Sequence, residues 1–252
     1  NSESISRITE GIGQILAKSG YQMLLTITNN NSSKELEYVD LFEAYPVDGI
    51  ILVGTVLTRA HKKKLKECKV PIVVIGQYTK ETSCVYHDDY GAAKALAEQV
   101  GREASGRVAY IGVTREDKAA GAAREDGFRE GLKEVGKELE ESCLRRAKFT
   151  MESGYEQAVD LLEKEHDIDI ISCATDTIAA GAIEAIAQYS PERKIQVTGF
   201  GDNQFLKAVT GGIRTVHFAY QTSGIKGAEL LLEMIESEKT RMTEMKLGCE
   251  LV

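Results

Sequence analysis

The chain has 252 residues, 42% of them hydrophobic, which is enough apolar material for one large α/β domain or for two smaller lobes. Its formal net charge of -8 argues against nucleic-acid binding by these residues alone, because phosphate recognition draws on a surplus of Lys and Arg. No segment approaches the ~20 consecutive apolar residues of a membrane-spanning helix, and the first residues do not resemble a signal peptide, so a cytoplasmic protein without membrane contact is expected.

Strand-like apolar runs alternate with helical runs from the start of the chain. Isoleucines at helical spacing from Ile5 predict a first helix that ends at Gly20, a residue suited to a helix C-cap. The segments predicted next are a strand over 23–27, a helix from Ser33 to Ala44, a strand over 47–53, a lysine-rich helix over 59–68, a strand over 71–75 and a short strand over 84–86.

A second series of strands follows a break in the pattern near Asp89. Its predicted strands are 108–113, 144–149, 168–173, 195–200 and 215–218, with helical runs between them. Strands that alternate with helices predict right-handed βαβ crossovers and parallel sheets. About ten strands are too many for one small sheet. Two lobes of similar topology, with a pocket between them, are therefore predicted.

Motifs of common enzyme classes are absent from the sequence. There is no Gly-x-Ser-x-Gly elbow, phosphate-binding Walker loop, zinc-type cysteine pair or His-Glu-x-x-His, so neither catalysis nor a cofactor or metal is expected. His87-Asp88-Asp89 could form a metal or acid/base cluster, but one of its aspartates is expected to cap the following helix. The five scattered cysteines are typical of reduced, mostly buried thiols.

Two cations follow the predicted strand 108–113, namely Lys118 and Arg124. Ligands of open α/β sheets bind at the carboxyl ends of the strands, and an arginine fork suits a sugar or a sugar phosphate. The alternative is that both are surface cations paired with Glu116 or Glu125 on a helix running from about 121 to 135.

Further candidates lie at other strand ends. Phe149 could stack on the face of a sugar ring, and core packing is the alternative. At the junction Thr175-Asp176, the aspartate is expected to cap a helix. The basic run 61–66 could be a nucleic-acid patch, although a solvated helix face is the simpler interpretation.

Four segments resemble the effector-binding core of the lactose/galactose repressor family: VDGIILV (47–53), RVAYIGVTREDKAAGAAREDGFREGL (107–132), CATDTIAAGAIEAI (173–186) and VTGFGDN (197–203). Within that family, residues 86–89, 153–155 and 174–176 are most similar to repressors of sucrose and trehalose operons. The resemblance implies an α/β fold of the type I periplasmic-binding-protein kind, with two doubly wound parallel-sheet lobes joined by three crossovers. The lobes would comprise residues 1–88 with 218–243 and residues 89–217 with 244–252.

The resemblance also implies a set of ligand-binding residues. An arginine ahead of Gly-aromatic contacts the ligand in the family, and Arg124 ahead of Gly127-Phe128 matches it, with Lys118 at the basic position six residues earlier. Where the family often has an aspartate directly after Gly-aromatic, this chain has Gly201, with Asp202 one place later as the matching candidate for a ligand contact. The other positions that match family ligand contacts are Gln77, Phe149, Thr175 and Phe218.

The function implied is that of the effector-binding and dimerisation core of a sugar-responsive repressor of a carbohydrate operon, of the sucrose or trehalose type. It would form a homodimer and bind a sugar or sugar phosphate between its lobes. Operator DNA would be bound through a headpiece that these residues do not include. The alternatives are a sugar-binding protein for transport, which shares the fold, and an enzyme acting on a sugar phosphate. Whether the sugar is phosphorylated stays open.

Overall fold

The computed structural model describes residues 3–237 and 242–252. In chain order its elements are α1 (Glu3–Lys18), α2 (Ser32–Ala44), β1 (Ile50–Val53), α3 (Arg59–Glu67), β2 (Ile72–Ile75), β3 (Ser83–His87), α4 (Asp89–Glu103), β4 (Arg107–Gly112), a π-helix (Lys118–Ala123), α5 (Arg124–Glu134), a 3-10 helix (Glu141–Cys143), β5 (Leu144–Arg146), α6 (Met151–Lys164), β6 (Ile168–Cys173), α7 (Asp176–Tyr189), β7 (Gln196–Phe200), α8 (Gln204–Thr210), β8 (Arg214–Phe218), α9 (Tyr220–Glu236), β9 (Glu244–Leu247) and β10 (Cys249–Leu251).

These elements form two compact units. The first unit comprises residues 1–87 and 219–248, and the second comprises residues 88–218 and 249–252. The chain therefore passes from one unit to the other three times. Residues 1–2 and 238–241 of the lobe ranges expected from the sequence lie outside the described residues.

The first unit contains a parallel sheet in the order β1-β2-β3-β9. Ile50 lies opposite Ile72, and Val85 of β3 lies opposite Met245 of β9. Because β9 pairs with β3, residues 244–248 belong to the first unit, whereas the sequence assigned 244–252 to the second lobe.

Alternation along β2 gives this sheet two apolar faces. Val74 packs with Leu65 of α3 on one face. Ile75 packs with Ile12 of α1 and Leu232 of α9 on the other. A strand buried on both faces needs a continuous apolar sequence, which is what β2 has.

Helices α1 and α9 pack at very short range, which requires glycine. A Cβ atom on Gly11 would overlap the carbonyl oxygen of Gln221, and one on Gly224 would overlap the carbonyl oxygen of Ile8. The two helix backbones can approach each other only because these positions carry no side chain.

The second unit contains a six-stranded sheet in the order β10-β8-β7-β6-β4-β5. Its strands are parallel except β10, which runs antiparallel to β8. The buried ring of Tyr110 on β4 stacks on Phe128 of α5 with the ring centroids 4.8 Å apart. This contact fixes α5 against the strand that precedes it.

Several boundaries differ from those predicted. Residues 23–27 form no strand: Leu24 is 71% exposed, and no described strand pairs with this segment to satisfy its backbone. The strand predicted over 144–149 ends at Arg146, because only residues 144–146 pair with β4. Asn31, not Ser33, caps α2, since its side chain accepts from two backbone N–H groups. Gly20 follows α1 with a φ of 76°, as expected of a C-cap.

The prediction for the cysteines is confirmed. Cys84, Cys143 and Cys173 are buried free thiols, and Cys68 and Cys249 are half-buried free thiols. Among the described residues, no helix has the length and apolar character that crossing a membrane requires.

Candidate functional site

A π-helix carries the chain from the end of β4 to α5 and positions Arg124. Asp117 caps it by accepting from the backbone N–H groups of Ala119 and Ala120 at 3.0 and 2.9 Å. Its glycine, Gly121, lies so close to the backbone of Thr114 that a Cβ atom would overlap the carbonyl oxygen. The helix predicted from about residue 121 thus begins at Lys118, and α5 begins at Arg124. Short π-helical segments are frequent at functional sites.

The guanidinium of Arg124 is buried and held from several directions. Its Nε donates to Asp89 Oδ1 at 2.7 Å, and its Nη1 donates to the carbonyl oxygen of Ala174 at 2.6 Å. The carbon at the centre of the guanidinium lies 4.9 Å from the ring centroid of Phe200 and 4.6 Å from that of Phe218. Cation–π contacts at such distances are favourable.

These partners share one edge of the sheet in the second unit. Ala174 directly follows β6, Phe200 ends β7 and Phe218 ends β8, and these strands are parallel. Arg124 therefore lies at the carboxyl ends of the strands, where open α/β sheets bind their ligands. Phe200 and Asp89 were not among the residues expected there. Phe200 belongs to the Gly-aromatic sequence of segment 197–203, which is the signal that could have identified it.

Asp89 is an ion-pair partner and not a helix cap. Asp88 caps α4, because its carboxylate accepts from the N–H of Gly91 at 3.4 Å. Asp89 begins the helix and its side chain is buried against Arg124. The neighbouring His87 packs its ring edge on Tyr220 in the first unit, at a centroid distance of 5.5 Å. No group of three acidic, His or Cys residues in the described part of the chain could hold a metal ion.

Asp176 is also not the cap that the sequence suggested. Thr175 caps α7 by accepting from the N–H of Ile178 at 3.2 Å. Asp176 is buried and accepts hydrogen bonds from the N–H of Asn203 and the hydroxyl of Thr215, each at 2.7 Å. Burial raises the pKa of this carboxyl, although the two hydrogen bonds oppose the shift. Asp176, which follows β6, therefore links the turn after β7 to the second residue of β8.

Asp202 lies in a tight turn directly after β7. Gly201 has a φ of 139° and Asp202 a φ of 53°, so the backbone enters the left-handed region at the position where the family often has its aspartate. The carboxylate of Asp202 pairs with Lys207 and lies 2.8 Å from Nδ1 of His217. Burial raises the pKa of Asp202, but the hydrogen bonds from Lys207 and His217 outweigh it, so the pKa is lowered.

The other expected ligand residues are placed as follows. Lys118 is exposed, and its Nζ donates to the carbonyl oxygen of Arg115 at 3.2 Å. Phe149 is half-buried and lies in the loop between β5 and α6. Gln77 is buried and belongs to the first unit. A ligand-binding role for each of these residues stays a prediction.

The alternative that Arg124 is a surface cation paired with Glu116 or Glu125 is wrong. Glu125 pairs with Arg115 at 3.0 Å and with Arg146 at 2.8 Å, and Arg124 pairs with Asp89. A carboxylate, a carbonyl oxygen and two aromatic rings hold the buried guanidinium of Arg124 in a fixed orientation. The guanidinium is suited to orient a ligand rich in hydroxyl groups.

A family model described as periplasmic binding proteins and sugar binding domain of LacI family matches residues 5–251. The sucrose operon repressor of Staphylococcus xylosus is 27% identical over 243 residues, covering 94% of this chain and 74% of that protein. The HTH-type transcriptional regulator CelR of Thermobifida fusca is 25% identical over 252 residues, covering 97% and 73%.

Solved structures show the same architecture. A transcriptional regulator CelR–cellobiose complex superposes with a TM-score of 0.89 at 24% identity, covering 99% of this chain and 77% of that one. The trehalose repressor from Escherichia coli superposes with a TM-score of 0.86 at 20% identity, covering 100% and 95%. The predicted α/β fold of the periplasmic-binding-protein kind is thereby confirmed.

Proposed function

Because the chain belongs to the family of periplasmic binding proteins and LacI-type sugar-binding domains, we propose that it is the effector-binding core of a sugar-responsive transcriptional repressor of a carbohydrate operon. The effector binds at the carboxyl edge of the sheet in the second unit. One observation carries this assignment: Arg124 is buried there, fixed by Asp89 and the carbonyl of Ala174, and flanked by two aromatic rings.

This surrounding suits a sugar for two physical reasons. Guanidinium N–H groups donate to hydroxyl oxygens, and a guanidinium already fixed by its partners loses little side-chain entropy when a ligand binds. Aromatic faces complement the C–H surface of a sugar ring, and Phe218 ends β8 beside Arg124. Phe149, Thr175 and Lys118 lie at loops and helix starts that follow strands of the same sheet.

The sucrose or trehalose type of operon is the finer part of the proposal. The resemblance of the sucrose operon repressor along 94% of the chain supports it. A transport protein with the same fold is not favoured, because the relatives compared above are transcriptional regulators. A non-enzymatic role and a cytoplasmic location are parts of the same proposal.

Homodimerisation and operator binding through a headpiece complete the proposal. The chain spans 74% of the length of the sucrose operon repressor, so DNA binding is proposed for the whole protein and not for these residues. If the chain forms a homodimer, analytical ultracentrifugation should give the mass of two chains. A monomer at all accessible concentrations would contradict it.

The direct test is a thermal-shift screen with sucrose, trehalose, fructose and glucose, each also as its 6-phosphate. At least one compound is expected to raise the melting temperature, because a ligand that binds only the folded state stabilises it. Arg124→Ala should abolish that shift, and far-ultraviolet circular dichroism should show whether the variant is folded. Ser190→Ala, a change at the far end of α7, is the matched control and should leave the shift unchanged. If no compound stabilises the wild type, the proposed function is wrong.

A further inference from the structure

The positive charge of Arg124 is already balanced by carboxylates of the second unit. Asp89 pairs with it directly at 2.7 Å, and both side chains are buried. Asp176 is close enough to interact electrostatically with both Arg124 and Asp202. Two carboxyl groups, those of Asp89 and Asp176, thus interact with one guanidinium.

Several other cations near this edge are engaged as well. Lys207 and His217 both pair with Asp202. Arg115 pairs with Glu125 and Asp126, and Lys118 is an exposed cation that donates to a backbone carbonyl. Lys207, His217 and Arg115 thus neutralise the chain's own acids, whereas the exposed Lys118 and Lys148 form no ion pair with an acid among the described residues of the second unit.

The backbone N–H groups at the helix N-termini are likewise occupied by hydrogen-bond acceptors from the chain itself. Phosphate groups are often bound by the N–H groups at a helix N-terminus. In the second unit those groups are capped by side-chain oxygen atoms at the start of α4, the π-helix, α6, α7 and α8; the capping residues are Asp88, Asp117, Thr150, Thr175 and Asn203. Two of these caps are themselves carboxylates, which would repel a phosphate.

We propose that the effector bound at this edge is an uncharged sugar and that its phosphorylated form is discriminated against, an inference that rests on the proposed function. A phosphate monoester carries a charge of about -1.5 to -2 at neutral pH. Near Arg124 that charge would meet the carboxylate of Asp89 as well as the arginine. A neutral sugar meets no such repulsion, and its hydroxyl groups exchange hydrogen bonds with arginine and carboxylates alike.

Isothermal titration of the wild-type chain with each sugar and its 6-phosphate tests this inference. The unphosphorylated member of the best pair should bind at least about tenfold more tightly. Its affinity should change by less than about twofold between about 50 and about 500 mM salt, because screening affects charged ligands most. Tighter binding of the 6-phosphate, weakened by salt, would overturn the inference while supporting the proposed function. Binding of no member of any pair would overturn both.

Two variants test the role of charge. Asp89→Asn leaves the arginine charge uncompensated and should shift the affinity ratio toward the 6-phosphate by about tenfold. Lys118→Ala removes an exposed cation of this edge and should leave the ratio of the two affinities within about twofold, because no phosphate is expected against it. A ratio that moves further toward the neutral sugar in Lys118→Ala, or a ratio unmoved in folded Asp89→Asn, would contradict the inference. If Asp89→Asn does not fold, the wild-type titration and Lys118→Ala still decide between the outcomes.

Discussion

Asp89 and Arg124 form a buried ion pair across 35 positions of sequence, with Nε of the arginine 2.7 Å from Oδ1 of the aspartate. The pair joins the first turn of α4 to the first turn of α5. Its two members depend on each other, because either charge left alone in this surrounding would be buried without compensation.

A double-mutant cycle measures that dependence. Arg124→Met and Asp89→Asn should each lower the free energy of unfolding by about 3–5 kcal/mol, because each leaves a buried partner unpaired. The double variant should be less destabilised than the sum, with a coupling of about 2–3 kcal/mol in chemical denaturation.

The exposed pair Arg115–Asp126 provides the control for this cycle, since its side chains are 42% and 49% exposed. Arg115→Met with Asp126→Asn should show a coupling below about 1 kcal/mol. Equal coupling energies for the two pairs would contradict the prediction that burial makes Asp89 and Arg124 depend on each other.

Alkylation of Cys249 reports on the same region. Burial raises the pKa of this thiol to about 12, and Asp89 contributes further to the shift. Because only the thiolate reacts, its alkylation at pH 8 should be roughly a thousandfold slower in the folded protein than in denaturant. Mass spectrometry of the peptide that contains Cys249 gives both rates. Asp89→Asn should accelerate the folded-state reaction, and a thiol that reacts equally fast in both states would contradict the prediction.

The carboxylate of Asp202 should make the free energy of unfolding depend on pH in the acidic range. Its pKa in the folded protein lies below the ordinary value of 3.8, because the bonds from Lys207 and His217 outweigh burial. The unfolded state therefore binds protons first as pH falls, so the stabilisation is present above the unfolded pKa and is lost as pH falls through the folded pKa. Asp202→Asn preserves side-chain shape and tolerates the positive φ.

The free energies of unfolding of the wild type and Asp202→Asn should therefore differ most above about pH 5 and converge as the pH falls through the lowered pKa of Asp202 in the folded protein. Urea denaturation across this range measures the difference. If the difference instead grows as the pH falls, Lys207 and His217 do not stabilise the ionised form of Asp202, and the prediction is wrong.

Alanine substitutions at two glycines of α1 distinguish the effect of close helix packing from the effect of helix propensity. Gly11→Ala should destabilise the protein by about 1–3 kcal/mol or more, because the methyl group would overlap the carbonyl of Gln221 on α9. Gly13→Ala is the matched control, since the nearest heavy atom to its Cβ position is the Met23 Cε at 3.9 Å. It should stabilise by up to about 1 kcal/mol through helix propensity. Thermal melts that rank the variants the other way would contradict this packing.

The positions of Arg124 and Phe218 at strand ends were predictable from the sequence, because apolar runs reveal strands and the residues that follow them. The role of Asp89 was not, since an aspartate before a helix is equally suited to capping, and the difference between Asp88 and Asp89 is set by which side chain faces α5. Asp176 was assigned as a cap for the same reason. In the structure it binds Asn203 and Thr215, which lie 27 and 39 residues away.

The sequence by itself determined the alternation of strands and helices, the two-unit α/β organisation and the family, because each depends on local periodicity or on segments that can be compared directly. Only the tertiary structure decided which carboxylate neutralises Arg124, which residues close the turn after β7, and that residues 244–247 complete the first sheet. These features arise from partners far apart in the chain. Their pairing depends on burial and on hydrogen-bond geometry that no local pattern encodes.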